Sequence, residues 1–293
     1  MKMFKDKDQV ILVANSNGVP ISQKDKVDQL VKVLQNMGLR PVISSRLYAT
    51  NGISSGTGAE RAEVMMDAYK SADITAIFDI SGGDIANEVL PYLDYNVIAK
   101  SEVAYFGYSD LTTVLNSIYN LSQNKGYLYQ VKNLIGECHE VQQKEFYETF
   151  FEAKDSLYKF DYEFIQGDKI NGLVVGGNSR CLLKLAGTKY MPNFKGKILF
   201  LEARGGQVPQ ITTFLNQYKQ MGVLDEIKGI ILGNFTEMES NNMEPTVVDI
   251  LKEILGNGDI PIVKTSQIGH ASDSKCIIIG ECIELEKNNM FRS

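Results

Sequence analysis

The chain has 293 residues, 44% of them hydrophobic and 23% charged, which is enough to bury a sizeable core and suits two domains better than one. Its formal net charge of -6 is spread along the chain, so there is no basic stripe of the kind that nucleic acid demands, and no nucleic-acid partner is expected. The opening residues run straight into Val10-Ile11-Leu12-Val13, too short an apolar run for a signal peptide, and no later run is long enough to span a bilayer. A cytoplasmic protein without a membrane partner is therefore expected. Cys138, Cys181, Cys276 and Cys282 lack CxxC spacing, and His139 and His270 are the only histidines. Reduced thiols are expected rather than a disulfide frame, and neither a metal centre nor another cofactor.

In chain order, the first third alternates short apolar runs with amphipathic stretches, the signature of βαβ units on a parallel sheet. Strands are predicted at 10–14, 41–44, 75–80 and 103–106, with helices over 24–37, 59–71 and 110–121. Residues from about 124 to 168 break the pattern. They show no clear period and carry the aromatic and acidic run Phe146-Tyr147-Glu148-Thr149-Phe150-Phe151-Glu152. Beyond them, strands are predicted at 172–175, 197–201, 229–232, 262–264 and 276–279, and helices at 210–221 and 245–255. The expected organisation is an α/β domain over 1–125, a linker or lid over 126–168, and a second, strand-richer α/β domain over 169–293.

Chemistry concentrates where predicted strands end. Gly107-Tyr108-Ser109-Asp110 lies between a strand and a helix, where a sharp turn lifts a serine hydroxyl off the sheet edge and the Asp110 N–H faces an incoming carbonyl. The same residues also read as a simple helix cap. Gly83, in Ser81-Gly82-Gly83-Asp84, is a candidate second oxyanion donor because a bare backbone can approach substrate closely; the alternative is an uninvolved glycine turn. A serine nucleophile needs a base, and there are two histidines to choose from. His139 sits among charges in the irregular stretch and reads as a surface residue, whereas His270 follows a strand in a loop suited to mounting a base. Glu202 closes the apolar run Ile198-Leu199-Phe200-Leu201 and is the candidate orienting carboxylate, with a solvated strand end as its alternative. Arg204, just beyond, offers a charge-assisted pair for a substrate carboxylate.

Taken together, the chain resembles the LD-carboxypeptidases of the serine peptidase group that also holds the microcin-immunity peptidases. The resemblance rests on Ser55-Gly56-Thr57 with Arg61, on Ile80 to Asp84 leading to Leu93-Asp94-Tyr95, and on Phe106 to Thr112. Further on it takes in Gly176-Gly177-Asn178, Gly187 to Tyr190, Gly196 to Glu202, Gly229 to Gly233 and Gly269-His270. It implies a Rossmann-like N-terminal domain similar to class I amidotransferases, and a C-terminal domain carrying the Glu and His of a Ser-Glu-His triad. The matching positions are Ser109, Glu202 and His270, with Gly83 and Asp110 as oxyanion donors. Asn178 and Arg204 are substrate-binding candidates, and a metal-free homodimer is expected.

The implied activity is hydrolysis of the LD-peptide bond before the terminal D-alanine of murein tetrapeptides. The alternatives are cleavage of an amide in peptidyl or aminoacyl adenylates, as in the immunity branch, and a non-catalytic peptide-binding relative. A tryptophan stacks on the nucleobase in the immunity branch and this chain has none. Murein is thus the expected substrate, with an aromatic of the 146–151 run as a substitute stacking partner. Two departures stand out. The chain reads Gly126-Tyr127-Leu128-Tyr129-Gln130 where the family commonly has His-Gly-Pro, and Ala203-Arg204-Gly205-Gly206 in place of an acidic turn.

Overall fold

The computed structural model describes residues 2–287 except Asn51 and Asn257. The apolar runs of the first half form β1 (Gln9–Val13), β2 (Arg40–Ile43), β3 (Ile74–Asp79), β4 (Ala104–Gly107) and β5 (Gly126–Leu128). The second half contributes β6 (Glu163–Gln166), β7 (Lys169–Asn178), β8 (Ile198–Ala203), β9 (Gly229–Phe235), β10 (Ile262–Lys264), β11 (Ile277–Ile279) and β12 (Cys282–Glu286). Two six-stranded sheets result, in the orders β11-β5-β4-β3-β1-β2 and β12-β7-β8-β9-β10-β6. Neighbours among β1 to β5 pair in parallel, as do those among β7 to β10. Antiparallel pairing is confined to β11, β12 and β6 at the ends of the sheets. The α/β class expected from the alternating pattern is the class observed.

Parallel strands connected through helices send all their C-terminal ends to one edge, which is where such sheets assemble sites. The helix Thr112–Ser122 follows β4 and packs between the sheets. One apolar cluster joins its Leu115 and Ile118 to Val174, Val175 and Phe200 of the second sheet, so the two sheets share a core. Polar pairing sets the register of that seam. Asn116 accepts from Gly176 N at 2.9 Å and donates to Gly176 O at 2.7 Å, and Asn178 N donates to Thr112 Oγ1 at 2.9 Å. At Gly176, with φ 125°, an added Cβ would lie 2.0 Å from Phe200 O, so only glycine lets β7 and β8 come this close.

Two expectations change. The run at 276–279, expected in the second domain, instead forms β11, which pairs with β5 and belongs to the first sheet. An apolar strand alone does not say which edge it joins; this one follows the His270 loop, which has already brought the chain to the first sheet. The stretch 126–168, expected to be irregular, is built largely of regular elements packed on the first sheet. Its first residues are β5, and Val131–Ile135 form a 3-10 turn with Val131 and Leu134 buried. A helix, His139–Phe150, then lays Phe146 and Phe150 against Phe4, Phe78 and Phe106. Its buried stripe is Gln142, Phe146, Thr149 and Phe150, helical spacing in which two of the four members are polar. That is why hydrophobic periodicity does not reveal it. Gln142 is half satisfied in its burial: its Oε1 accepts from Tyr129 OH at 2.7 Å, while its Nε2 has no partner among the described residues.

Candidate active site

β4 ends at Gly107, and the chain turns through Tyr108 into a short 3-10 turn, Ser109–Leu111, that leads into the helix Thr112–Ser122. Ser109 takes φ 57°, the left-handed region in which non-glycine residues are strained by about 1 kcal/mol or more. That conformation aims its hydroxyl away from the sheet edge, and the first turn of the helix leaves the Asp110 N–H without an intrahelical acceptor. A capping serine has no need of a left-handed backbone, and Ser109 caps nothing with its side chain.

From the second sheet, Glu202 lies inside β8 rather than closing it, and is wholly buried. His270 sits in the loop after β10, anchored by Gly269 N to Ser274 Oγ at 3.0 Å and by Asn234 N to Ile268 O at 2.8 Å. Its Nδ1 lies 2.7 Å from Glu202 Oε2 and its Nε2 lies 3.1 Å from Ser109 Oγ. The carboxylate requires a proton on Nδ1, which leaves Nε2 to accept from the serine hydroxyl. The Tyr108 ring packs on the imidazole at 4.5 Å between centroids. Its buried hydroxyl has no partner among the described residues, and burial beside Glu202 holds that phenol well above its usual pKa.

Asn178, expected to touch substrate, has its amide engaged within the protein instead: Nδ2 donates to Glu202 Oε1 at 3.0 Å and Oδ1 accepts from Cys181 N at 3.3 Å. Both Glu202 oxygens are thus hydrogen-bonded, which is what a buried carboxylate requires. Arg204 is exposed at the end of β8 and forms no ion pair among the described residues. His139 is exposed at a helix start, with Nδ1 on Gly136 O at 3.0 Å, and takes no part. No group of three or more His, Cys, Asp and Glu suited to a metal occurs among the described residues.

The other side of the site is built on the loops after β1 and β3. Gly83 has φ 137°, and an added Cβ would lie 2.1 Å from Asn17 Cγ, so this turn requires glycine. Asp84 N donates to Asn17 Oδ1 at 3.1 Å. Arg61, fully buried, bonds the carbonyls of Asn15, Ser16, Gly56 and Ile85 and pairs with Glu88, so one guanidinium ties these loops together. Sequence reasoning missed four supports. Asp79 ends β3 and accepts from Asn15 N, Ser81 N, Ser81 Oγ and Tyr105 OH. The buried Asp110 carboxylate accepts from Ser16 Oγ at 2.7 Å, Ala86 N at 2.8 Å and Lys184 Nζ at 2.5 Å. Lys184 also reaches Asp84 O at 2.9 Å, and Arg180 pairs with the Asp84 carboxylate, so two cations beyond β7 clamp the residues next to Gly83 and Ser109. A charge closing an apolar run was the signal that singled out Glu202, and it fits Asp79 equally. Nothing in the local sequence announces Lys184.

A hydroxyl, an imidazole and a carboxylate brought into line between two α/β domains make this a serine-type hydrolase. The chain belongs to the LD-carboxypeptidase family: residues 10–129 match its N-terminal domain and residues 171–285 its C-terminal domain. The microcin C7 self-immunity protein of Escherichia coli is 25% identical over 297 residues, covering 90% of this chain and 86% of that one. A solved structure of the microcin self-immunity protein in complex with glutamyl sulfamoyl guanosine superposes with a TM-score of 0.85 at 22% identity, over 97% of this chain and 94% of its own. A muramoyltetrapeptide carboxypeptidase from Oxalobacter formigenes gives 0.78 at 22% identity, over 95% of both chains. No helix among the described residues is long and apolar enough to cross a membrane.

Proposed function

We propose that this chain is a serine amidase of the microcin-immunity type, hydrolysing an amide bond in a peptidyl or aminoacyl adenylate. The observation that carries the chemistry is the line Ser109 Oγ, His270 Nε2, His270 Nδ1, Glu202, with contacts of 3.1 and 2.7 Å. In this reading Ser109 attacks the carbonyl carbon and passes its proton to His270 Nε2. Glu202 holds the tautomer and stabilises the imidazolium that forms. The Gly83 and Asp110 N–H groups receive the oxyanion, His270 returns the proton to the leaving amine, and water then releases the acyl group by the reverse path. The substrate class is supported by the sequence similarity to the microcin C7 self-immunity protein, which extends over 90% of this chain.

A second reading, cleavage before the terminal D-alanine of murein tetrapeptides, draws support from the absence of tryptophan and from the burial of Phe146 and Phe150, which takes both out of contention as nucleobase platforms. Incubation of the purified protein with an aminoacyl sulfamoyl adenosine and with a murein tetrapeptide, each followed by mass spectrometry, separates the two. Release of the amino acid from the first supports the amidase, and release of D-alanine alone replaces it with the carboxypeptidase. If neither is cut and a serine-directed fluorophosphonate leaves Ser109 unlabelled in folded protein, the chain is a binding relative.

A further inference from the structure

Beside the proposed oxyanion loop, the first domain holds a cavity of about 260 Å³ that the reaction outlined above does not use. Its apolar floor includes Ile80, which directly precedes the Ser81-Gly82-Gly83 turn, and its polar lining is Lys26, Lys132, Gln23, Gln29 and Gln130. Neither lysine has a carboxylate partner among the described residues, and none of the three amide side chains is hydrogen-bonded there. Lys132 is partly buried, on a turn pinned into the core by Val131 and Leu134. Burial pushes its ammonium down in pKa; Asp79 opposes this, while the charges of Lys26 and Arg204 add to it.

Drawing an ammonium partly out of water without a counter-ion costs some free energy, and a cleft that gathers unpaired cations and amides in this way is a candidate ligand site. The helix Lys24–Asn36 strengthens the case. Gln23 stands at its N-cap without a side-chain cap, and Lys26, in its first turn, adds a cation near the helix end where the dipole favours an anion. Arg204, whose charge is felt at Lys132, stands at the β8 end that carries Glu202. Ile80 and Gln130 of the lining follow the C-terminal ends of β3 and β5, as Ser109 follows that of β4, so the cavity opens at the same sheet edge. Gln130 and Lys132 both follow β5 directly.

We propose that this cavity is an anion subsite of the hydrolase, in which Lys132 and Lys26 bind a carboxylate or phosphoryl group of the substrate while the scissile carbonyl lies at Ser109. Because it names a substrate feature, it rests on the serine hydrolase reading. The amide side chains complete the shell around the anion oxygens, and Lys132 supplies the charge-assisted bond.

Isothermal titration of the full chain with glutarate and with inorganic phosphate tests the subsite and separates its two sources, carboxylate and phosphoryl. One of the two probes is expected to bind. Lys132→Met weakens it by about tenfold or more, Lys132→Arg stays within about threefold, and Lys252→Met, on a remote exposed helix face, leaves it unchanged. Gln130→Glu sets a carboxylate in the cavity without removing a lysine, so it should block binding as strongly and serves where Lys132→Met does not fold. If neither probe binds wild-type protein, or if Lys132→Met and Gln130→Glu both bind like wild type, the subsite is wrong. Fluorophosphonate labelling of Ser109 is run alongside. Normal labelling without anion binding sinks the subsite alone, whereas anion binding without labelling leaves a cationic pocket and removes the hydrolase it was meant to serve.

Discussion

The two sheet edges that meet at Ser109 hold their reactive groups by different means. On the first, position is set by the backbone: Ser109 at φ 57°, Gly83 at φ 137°, and loops tied through their carbonyls to Arg61. On the second, position is set by a relay of side chains, from Asn178 to Glu202 to His270. The difference teaches where each half is fragile. A backbone-placed nucleophile survives many neighbouring substitutions but not a change of turn conformation. A base placed by a relay fails one hydrogen bond at a time.

The largest effects test whether the two halves act as one unit. Ser109→Ala is expected to lower turnover by about a millionfold, with the protein folded and substrate still bound. Glu202→Gln keeps the side chain's shape but allows the imidazole its wrong tautomer, and should lower kcat by about ten-thousandfold. Rapid fluorophosphonate labelling of Glu202→Gln, at the wild-type rate, would break the comparison, because the serine would then be activated without its relay.

Next in size is a change far from the chemistry. Phe146→Ala empties part of the aromatic cluster behind the first sheet, and a loss of about 3–5 kcal/mol in denaturant unfolding is expected, with kcat unchanged at temperatures where the protein is folded. A stable variant with altered substrate affinity would instead mean that the helix His139–Phe150 behaves as the lid first expected of this stretch.

That helix also marks the limit of what the sequence makes legible. Ser109, Glu202 and His270 are visible because each follows or ends an apolar run, a pattern strong enough to place them at a common edge before any coordinate is known. The helix His139–Phe150 is hidden because burial of Gln142 and Thr149 spoils its apolar period. β11 is recognisable as a strand, yet its sheet is set by the His270 loop before it, a long-range fact. Lys184 and Lys132 are hidden for a related reason: each matters through what stands opposite it in space, Asp110 in one case and a cavity in the other.

A smaller effect probes the seam between the halves. Lys184→Met leaves the buried Asp110 carboxylate without its facing cation, although Ser16 and the Ala86 N–H still bond it. Lys184 retains some exposure, so the full penalty of a broken buried pair does not apply, and a loss of about 1–3 kcal/mol in stability is expected. Lys184→Arg should recover most of it. Since Asp110 also carries a proposed oxyanion N–H, kcat should fall with little change in KM. A fall in stability alone would confine Lys184 to structure.

The smallest predicted effect decides between two roles for one residue. Asn178 is a substrate-contact candidate by sequence, yet its Nδ2 is spent on Glu202 Oε1 and its Oδ1 on Cys181 N. Asn178→Ala removes one hydrogen bond to a buried charge, worth about 1.5 kcal/mol, and should cut kcat by about tenfold while KM holds. The slackened relay also predicts slower phosphonate labelling of Ser109, a reaction that involves no natural substrate. If KM rises and labelling does not change, Asn178 reads the substrate after all, and the second sheet would combine positioning and recognition in one side chain, where the first divides them between Ser109 and the cavity at Lys132.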